Sequence, residues 1–138
     1  MIVRLAHVCI ESSDLEATEQ FYTALGLKRQ FEFRNTQDEL IGMYLAFGEM
    51  TFLEIIKVRQ VRAEGAVRHF AIEVDDVQAI HSALQSQNIP INPCELGEDK
   101  TWMVTCTDPN GVFIEFHQYT QQSMQRVGGT CVLDYQPR

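Results

Sequence analysis

The sequence predicts an α+β fold built from two copies of one strand–helix–three-strand (βαβββ) module. Internal repetition is the first observation behind this. Leu5-Ala-His7-Val-Cys-Ile-Glu-Ser-Ser-Asp14-Leu-Glu-Ala17 aligns with Val67-Arg-His69-Phe-Ala-Ile-Glu-Val-Asp75-Asp-Val-Gln-Ala79. Phe52-Leu-Glu54-Ile-Ile56 aligns likewise with Phe113-Ile-Glu115-Phe-His117. The second observation is hydrophobic period, which runs at two along the strand candidates and at 3.6 along one segment in each half. The third is the turn Asp108-Pro-Asn-Gly111, whose residues favour a tight reversal, followed at once by the β-rich run Val112–Phe116.

Taken in order, residues 2–10 read as a strand with both faces buried: Leu5, His7 and Cys9 on one side, Ala6, Val8 and Ile10 on the other. Ser13-Asp-Leu-Glu16 has the form of a capping box and opens a helix with the inner stripe Leu15, Thr18, Phe21, Tyr22 and Leu25, ended by Gly26. Three strands follow, at 27–34, 40–47 and 50–58, with a reversal at Gly48-Glu49. Residues 59–66 are a polar linker. The second module has a strand at 67–74, a helix capped by Asp75 or Asp76 with Val77, Ile80 and Leu84 inside, and an edge strand at 89–94 that carries Pro90 and Pro93. A turn at 96–100, a strand at 101–107 and the last strand complete it. The expected organisation is one domain, 1–120, of two modules (1–60 and 66–120). Residues 121–138 form a tail with no clear period.

Composition narrows the function classes. The 138 residues are 45% hydrophobic and 22% charged, which suits a packed core. A net charge of −8 and a pI near 4.9 argue against nucleic-acid binding. No apolar run is long enough to span a membrane, and Met1-Ile-Val-Arg-Leu-Ala is not a signal-peptide core, so a cytoplasmic location is expected. Cys9, Cys94, Cys106 and Cys131 form no CxxC pair and read as reduced and mostly buried.

The repeat places a His on the first strand and a Glu on the last strand of each module. The spacing is 47 residues from His7 to Glu54 and 46 from His69 to Glu115. A carboxylate inside an apolar strand is costly without a partner. Two imidazoles and two carboxylates make a mixed N/O set suited to Zn, Ni, Co, Mn or Fe rather than Ca or Mg. Four such ligands leave room on an octahedral ion for two adjacent substrate oxygens. The metal would stabilise an enediolate while a ligand Glu acts as base. Trp102 reads as pocket wall or core, His117 as rim, and His81 as surface.

With His7, Glu54, His69, Glu115 and the terminal DPNG-x-x-x-E motif, the chain resembles the vicinal oxygen chelate superfamily (glyoxalases, bleomycin resistance proteins, extradiol dioxygenases) over residues 2–118. The resemblance implies paired modules forming an incomplete barrel around a metal. It also implies a homodimer in which His7 and Glu54 of one chain meet His69 and Glu115 of the other. The ligand set is most similar to that of the glyoxalase I (lactoylglutathione lyase) family. This implies a nickel or zinc lyase/isomerase of an α-oxo, hemithioacetal-like small molecule, with Glu115 as base and Glu54 as opposing ligand. Where that family carries an Arg four residues after the first His, this chain has Glu11. Arg4, Arg34, Lys57 and Arg68 are the remaining candidates for an anion. Alternatives of other classes are a sequestering protein of the bleomycin-resistance type and an epimerase or dioxygenase on another chelating substrate.

Overall fold

Both halves fold as strand–helix–three-strand units, each with its own four-stranded sheet, in a mixed α+β architecture. The computed structural model describes every residue except Ile2, Ala63, Glu64, Ala66, Arg68 and 134–138; the anion expectation at Arg68 and the last part of the tail lie outside the described residues. The chain packs as two compact units, Met1–Arg68 with Thr107–Val112, and His69–Cys106 with Phe113–Arg138.

In the first unit β1 (His7–Ser12) leads through α1 (Leu15–Ala24) to β2 (Lys28–Arg34), β3 (Leu40–Gly48) and β4 (Thr51–Lys57). The sheet order is β1-β4-β3-β2, with β1 parallel to β4 and β3 antiparallel to both its neighbours. Alternation along the strands sorts the side chains. Ile10 and Ser12, Met43 and Leu45, and Leu53 and Ile55 are buried, as are Leu15, Thr18, Phe21 and Tyr22 of α1. Fully burying a side chain such as Leu53 or Ile55 stabilises by about 1.5–3 kcal/mol. The opposite face of the sheet does not carry the core. His7 and Cys9 are exposed there, so β1 has one buried face and not two.

Local chemistry corrects several boundaries. The N-cap of α1 is Asp14 and not Ser13: the Asp14 carboxylate accepts from the Ala17 N–H at 3.0 Å, while Ser12 Oγ accepts from the Asp14 N–H at 3.1 Å. A short Asp side chain reaches the third N–H, so the box with Glu16 is not needed. The β3–β4 reversal falls at Glu49-Met50, with Met50 at φ 57°. Gly26, at φ 102°, ends α1, and the Leu27 N–H returns to the Tyr22 carbonyl at 3.1 Å.

The second unit repeats the order. β5 (Phe70–Glu73), α2 (Val77–Ser86), β6 (Glu95–Leu96), β7 (Thr101–Thr107) and β8 (Phe113–Tyr119) give the sheet β5-β8-β7-β6, with β5 parallel to β8. Asp76 caps α2, accepting from the N–H groups of Gln78 and Ala79. Val77 and Leu84 are buried and Ile80 half-buried. The edge strand expected at 89–94 is absent: only a bridge from Ile91 to Cys106 forms, because Pro90 and Pro93 remove two ladder donors. Pairing resumes at Glu95–Leu96, so Leu96 belongs to a strand and not to the turn expected at 96–100.

The tail begins with a four-residue helix, α3 (Met124–Val127). Ser123 Oγ donates to the Lys100 carbonyl and accepts from the Thr120 N–H, both at 2.8 Å, and the Met124 N–H reaches the Asp99 carbonyl at 2.9 Å. Of the four cysteines only Cys106 is buried. Cys9 and Cys131 are exposed and Cys94 is intermediate, so the expectation of mostly buried thiols fails. Trp102 is 40% exposed and is not a core residue. No helix among the described residues is long and apolar enough to cross a membrane.

The DPNG turn belongs to the first unit. Asp108, 5% exposed, accepts from the N–H groups of Asn110 and Val112 at 2.8 Å each and from the Tyr22 hydroxyl at 2.9 Å. Asn110 Nδ2 donates to Thr18 Oγ1 at 2.8 Å. Tyr22→Phe takes one donor from a buried carboxylate and is expected to cost about 1–3 kcal/mol, read as a lower urea midpoint with an unchanged circular dichroism spectrum.

Candidate metal centre

The exposed face of the first sheet is laid out in three rungs by its register. Cross-strand partners run Lys28–Ala46–Phe52–His7, then Phe31–Tyr44–Glu54–Cys9, then Phe33–Gly42–Ile56–Glu11. His7 and Glu54 are therefore diagonal neighbours, and the imidazole Nε2 lies 3.1 Å from Glu54 Oε2. The Tyr44 hydroxyl donates to the same oxygen at 3.2 Å and stands 3.4 Å from His7 Nδ1. Partial burial, with the Glu54 carboxylate beside it, pushes the Cys9 thiol upward. The Tyr44 phenol is raised by desolvation and by the same carboxylate.

The second sheet repeats the pair. Glu115 lies opposite Ala71 as Glu54 lies opposite Cys9, and His69 Nε2 is 3.5 Å from Glu115 Oε2. Exposure matches too: the His side chains are 40% and 43% exposed and the Glu side chains 16% and 19%. What holds the carboxylate differs. Glu115 Oε2 is 2.9 Å from Nε2 of His117, a ring only 15% exposed, which the sequence places at the rim. The signal was present, because His117 stands two residues beyond Glu115 on the same strand face. Tyr44 was legible in another way: a hairpin reversing beyond Gly48 pairs 46 with 52 and 44 with 54. His81 is half-buried on α2 and outside both pairs.

Each pair fits a divalent ion in donor type, and the first also in spacing. Two donors bound at about 2.1 Å to one octahedral or tetrahedral ion lie roughly 3.0–3.4 Å apart; the first pair, at 3.1 Å, falls within that range and the second, at 3.5 Å, just beyond it. Among the described residues no group of three or more His, Cys, Asp and Glu side chains has the geometry of a complete metal site, so neither pair is a full shell alone. Glu11 is engaged elsewhere. Its oxygens take the Arg62 Nε at 2.6 Å and the Arg62 N–H at 2.9 Å, and these bonds hold its carboxyl below the usual range. Arg4 and Arg34 are also engaged: Arg4 donates to the Glu49 carbonyl and Arg34 pairs with Glu32 and Asp38.

Gly42 keeps this face open. A Cβ there would meet the Ile55 carbonyl oxygen at 2.6 Å and the Phe33 ring at 3.0 Å. Gly42→Ala is expected to displace β3 from β4 and lower stability by about 1–3 kcal/mol, measured by urea unfolding.

Comparison with known proteins agrees with this architecture. A glyoxalase family protein from Enterococcus faecalis is 26% identical and superposes with a TM-score of 0.69, over 83% of this chain and 96% of that one. The trypanothione-dependent glyoxalase I of Leishmania major is 27% identical with a TM-score of 0.71, over 85% and 87%. A bleomycin-binding protein solved with bleomycin is 21% identical with a TM-score of 0.65, over 86% and 100%, which shows a shared fold. No curated protein matches the sequence. The profile of the Glyoxalase/Bleomycin resistance protein/Dioxygenase superfamily matches residues 4–116, and the chain belongs to that superfamily.

Proposed function

We propose that the chain is a metal-dependent lyase or isomerase of the glyoxalase I type, acting in the cytoplasm on an α-oxo or α-hydroxycarbonyl small molecule. His7, Glu54, His69 and Glu115 hold one divalent ion, nickel or zinc first, with cobalt, manganese or iron suited to the same donors. Two chains pair, and His7 and Glu54 of one complete the shell begun by His69 and Glu115 of the other. The observation that supports this is the repeated pair itself: His7 on β1 stands 3.1 Å from Glu54 on β4, and His69, just before β5, stands 3.5 Å from Glu115 on β8.

Hydrogen bonding around the first pair favours the same reading. The Tyr44 hydroxyl gives its proton to Glu54 and keeps lone pairs for His7 Nδ1. With the proton on Nδ1, His7 Nε2 turns a lone pair toward the Glu54 carboxylate, an arrangement that a cation between them satisfies. A bound ion would polarise the substrate carbonyl and ease loss of the adjacent C–H proton. The chain's own residues carry that proton. Glu115 takes it onto a carboxylate oxygen and returns it to the neighbouring carbon, so the isomerisation balances without an oxidant or reductant. His117, against Glu115 Oε2, fixes the orientation of that carboxylate, and Tyr44 fixes Glu54.

The second reading is a protein that binds a small molecule without turning it over. The stacked pair Phe31–Tyr44 favours it, with Phe31 44% exposed, because ring stacking needs no ion. Calorimetric titration of metal-stripped protein with Ni²⁺ and Zn²⁺ separates the two. The expected result is tight binding of one ion per chain, weakened about a hundredfold or more by Glu54→Gln, beyond the loss typical of an outer partner. Binding absent or indifferent to Glu54→Gln leaves the sequestering protein as the better account.

A further inference from the structure

Beside the His7/Glu54 pair, the exposed face of the first sheet carries a cluster of aromatic rings on β2, β3 and β4. Phe31 and Tyr44 are cross-strand partners whose rings stack at 4.4 Å between centroids and 21° between planes. Phe33 meets both edge-on, at 5.3 and 5.7 Å, and Phe52 lies tilted 5.8 Å from Tyr44. Four aromatic rings thus gather on the sheet face that the core does not occupy. Gly42 presents no side chain on the next rung, and Ile56 beside it is 40% exposed. On this face the Glu54 carboxylate stands beside the rings, against Tyr44 and His7, while Glu11 of β1 is tied to Arg62 and Lys28 lies at the outer corner of β2.

We propose that the Phe31–Tyr44 ring pair, flanked by Phe33, is a specificity shelf that takes the flat aromatic ring of an α-oxo- or α-hydroxycarbonyl substrate. The adjacent oxygens of that substrate lie at the His7/Glu54 end of the same face. The inference rests on the metal-centre reading for the oxygen end alone. Tyr44 joins the two ends, since its hydroxyl donates to Glu54 while its ring stacks on Phe31. A molecule whose oxygens approach Glu54 and which extends toward β2 must cross those rings. From β4 to β2 is two strand spacings, about 10 Å, which a bicyclic ring bearing a two-oxygen group spans. An aryl compound of that length stacks on the shelf; a flexible aliphatic one gains less.

The test uses full-length, zinc-loaded protein and calorimetry with two acids, naphthylglycolate and lactate, which share the same adjacent oxygens and differ in the ring. Naphthylglycolate is expected to bind at least about tenfold tighter. Phe31→Leu combined with Phe33→Leu keeps the surface apolar and is expected to remove that gain, with zinc affinity and the circular dichroism spectrum unchanged. Equal affinities for the two acids, or a gain that survives both substitutions, overturns the shelf. Repeating the titration without zinc and with Glu54→Gln keeps the two readings apart. Ring-dependent binding that needs Phe31 but ignores zinc retains the shelf and removes the metal centre. Zinc binding without ring preference does the reverse. Loss of dimer on Phe31→Leu, with acid binding intact, assigns the rings to the contact between two copies and also overturns the shelf.

Discussion

The period of two in an extended strand is the constraint on which both units depend. A four-stranded sheet with one helix has a single face to close against that helix. In the first unit the helix side takes Ile10, Met43, Leu45, Leu53 and Ile55. Every residue between them is delivered to the other face, including His7, Tyr44 and Glu54. A carboxylate such as Glu54 is tolerable mid-strand because it never enters the core, and its neighbours are an imidazole and a phenol. The second unit obeys the same rule: Ile114 and Phe116 are buried, while Glu115 and His117 between and beyond them meet each other. A one-residue slip of β4 or β8 would exchange the two sets and destroy core and site together.

The strand order and the His/Glu pair recur in the second unit, but their surroundings do not. Cys9 faces Glu54 where Ala71 faces Glu115. Glu54 lies against the Tyr44 hydroxyl and the His7 imidazole, and Glu115 against two imidazoles, His69 and His117. Two carboxylates alike in position therefore have different partners. That difference supports the proposed assignment of the proton transfer to Glu115 and of the opposing role to Glu54. The aromatic rings add a second asymmetry, gathering beside Glu54 on β2 and β3.

The repeat makes the architecture readable: matching His and Glu positions mark two strand–helix–three-strand units, while the order of strands in each sheet comes from pairing alone. The helices were readable from their inner stripes, and Leu15, Thr18, Phe21 and Tyr22 are indeed buried. Less readable was anything decided by partners distant in sequence. Counting apolar residues on β1 suggested two buried faces, but the sheet has a helix on one side only, so Cys9 is exposed. Pro90 and Pro93 suit an edge strand, yet two missing donors in four residues leave one bridge there, Ile91 to Cys106. The anchoring of Ser123 to Lys100 depends on hydroxyl geometry that no hydrophobic period reports. Parity puts His117 on the face of Glu115, but strand position says which face a ring shares and not how far it bends along it, so the 2.9 Å contact is not legible in the sequence.

The central claim is that the two His/Glu pairs serve one ion. Cobalt(II)-loaded protein examined by paramagnetic proton NMR tests it most directly. Two strongly shifted, exchangeable imidazole N–H signals are expected, one lost in His7→Gln and the other in His69→Gln, with no thiolate-to-cobalt absorption band. A single imidazole signal, or a thiolate band that disappears with Cys9→Ser, would contradict the four-ligand centre.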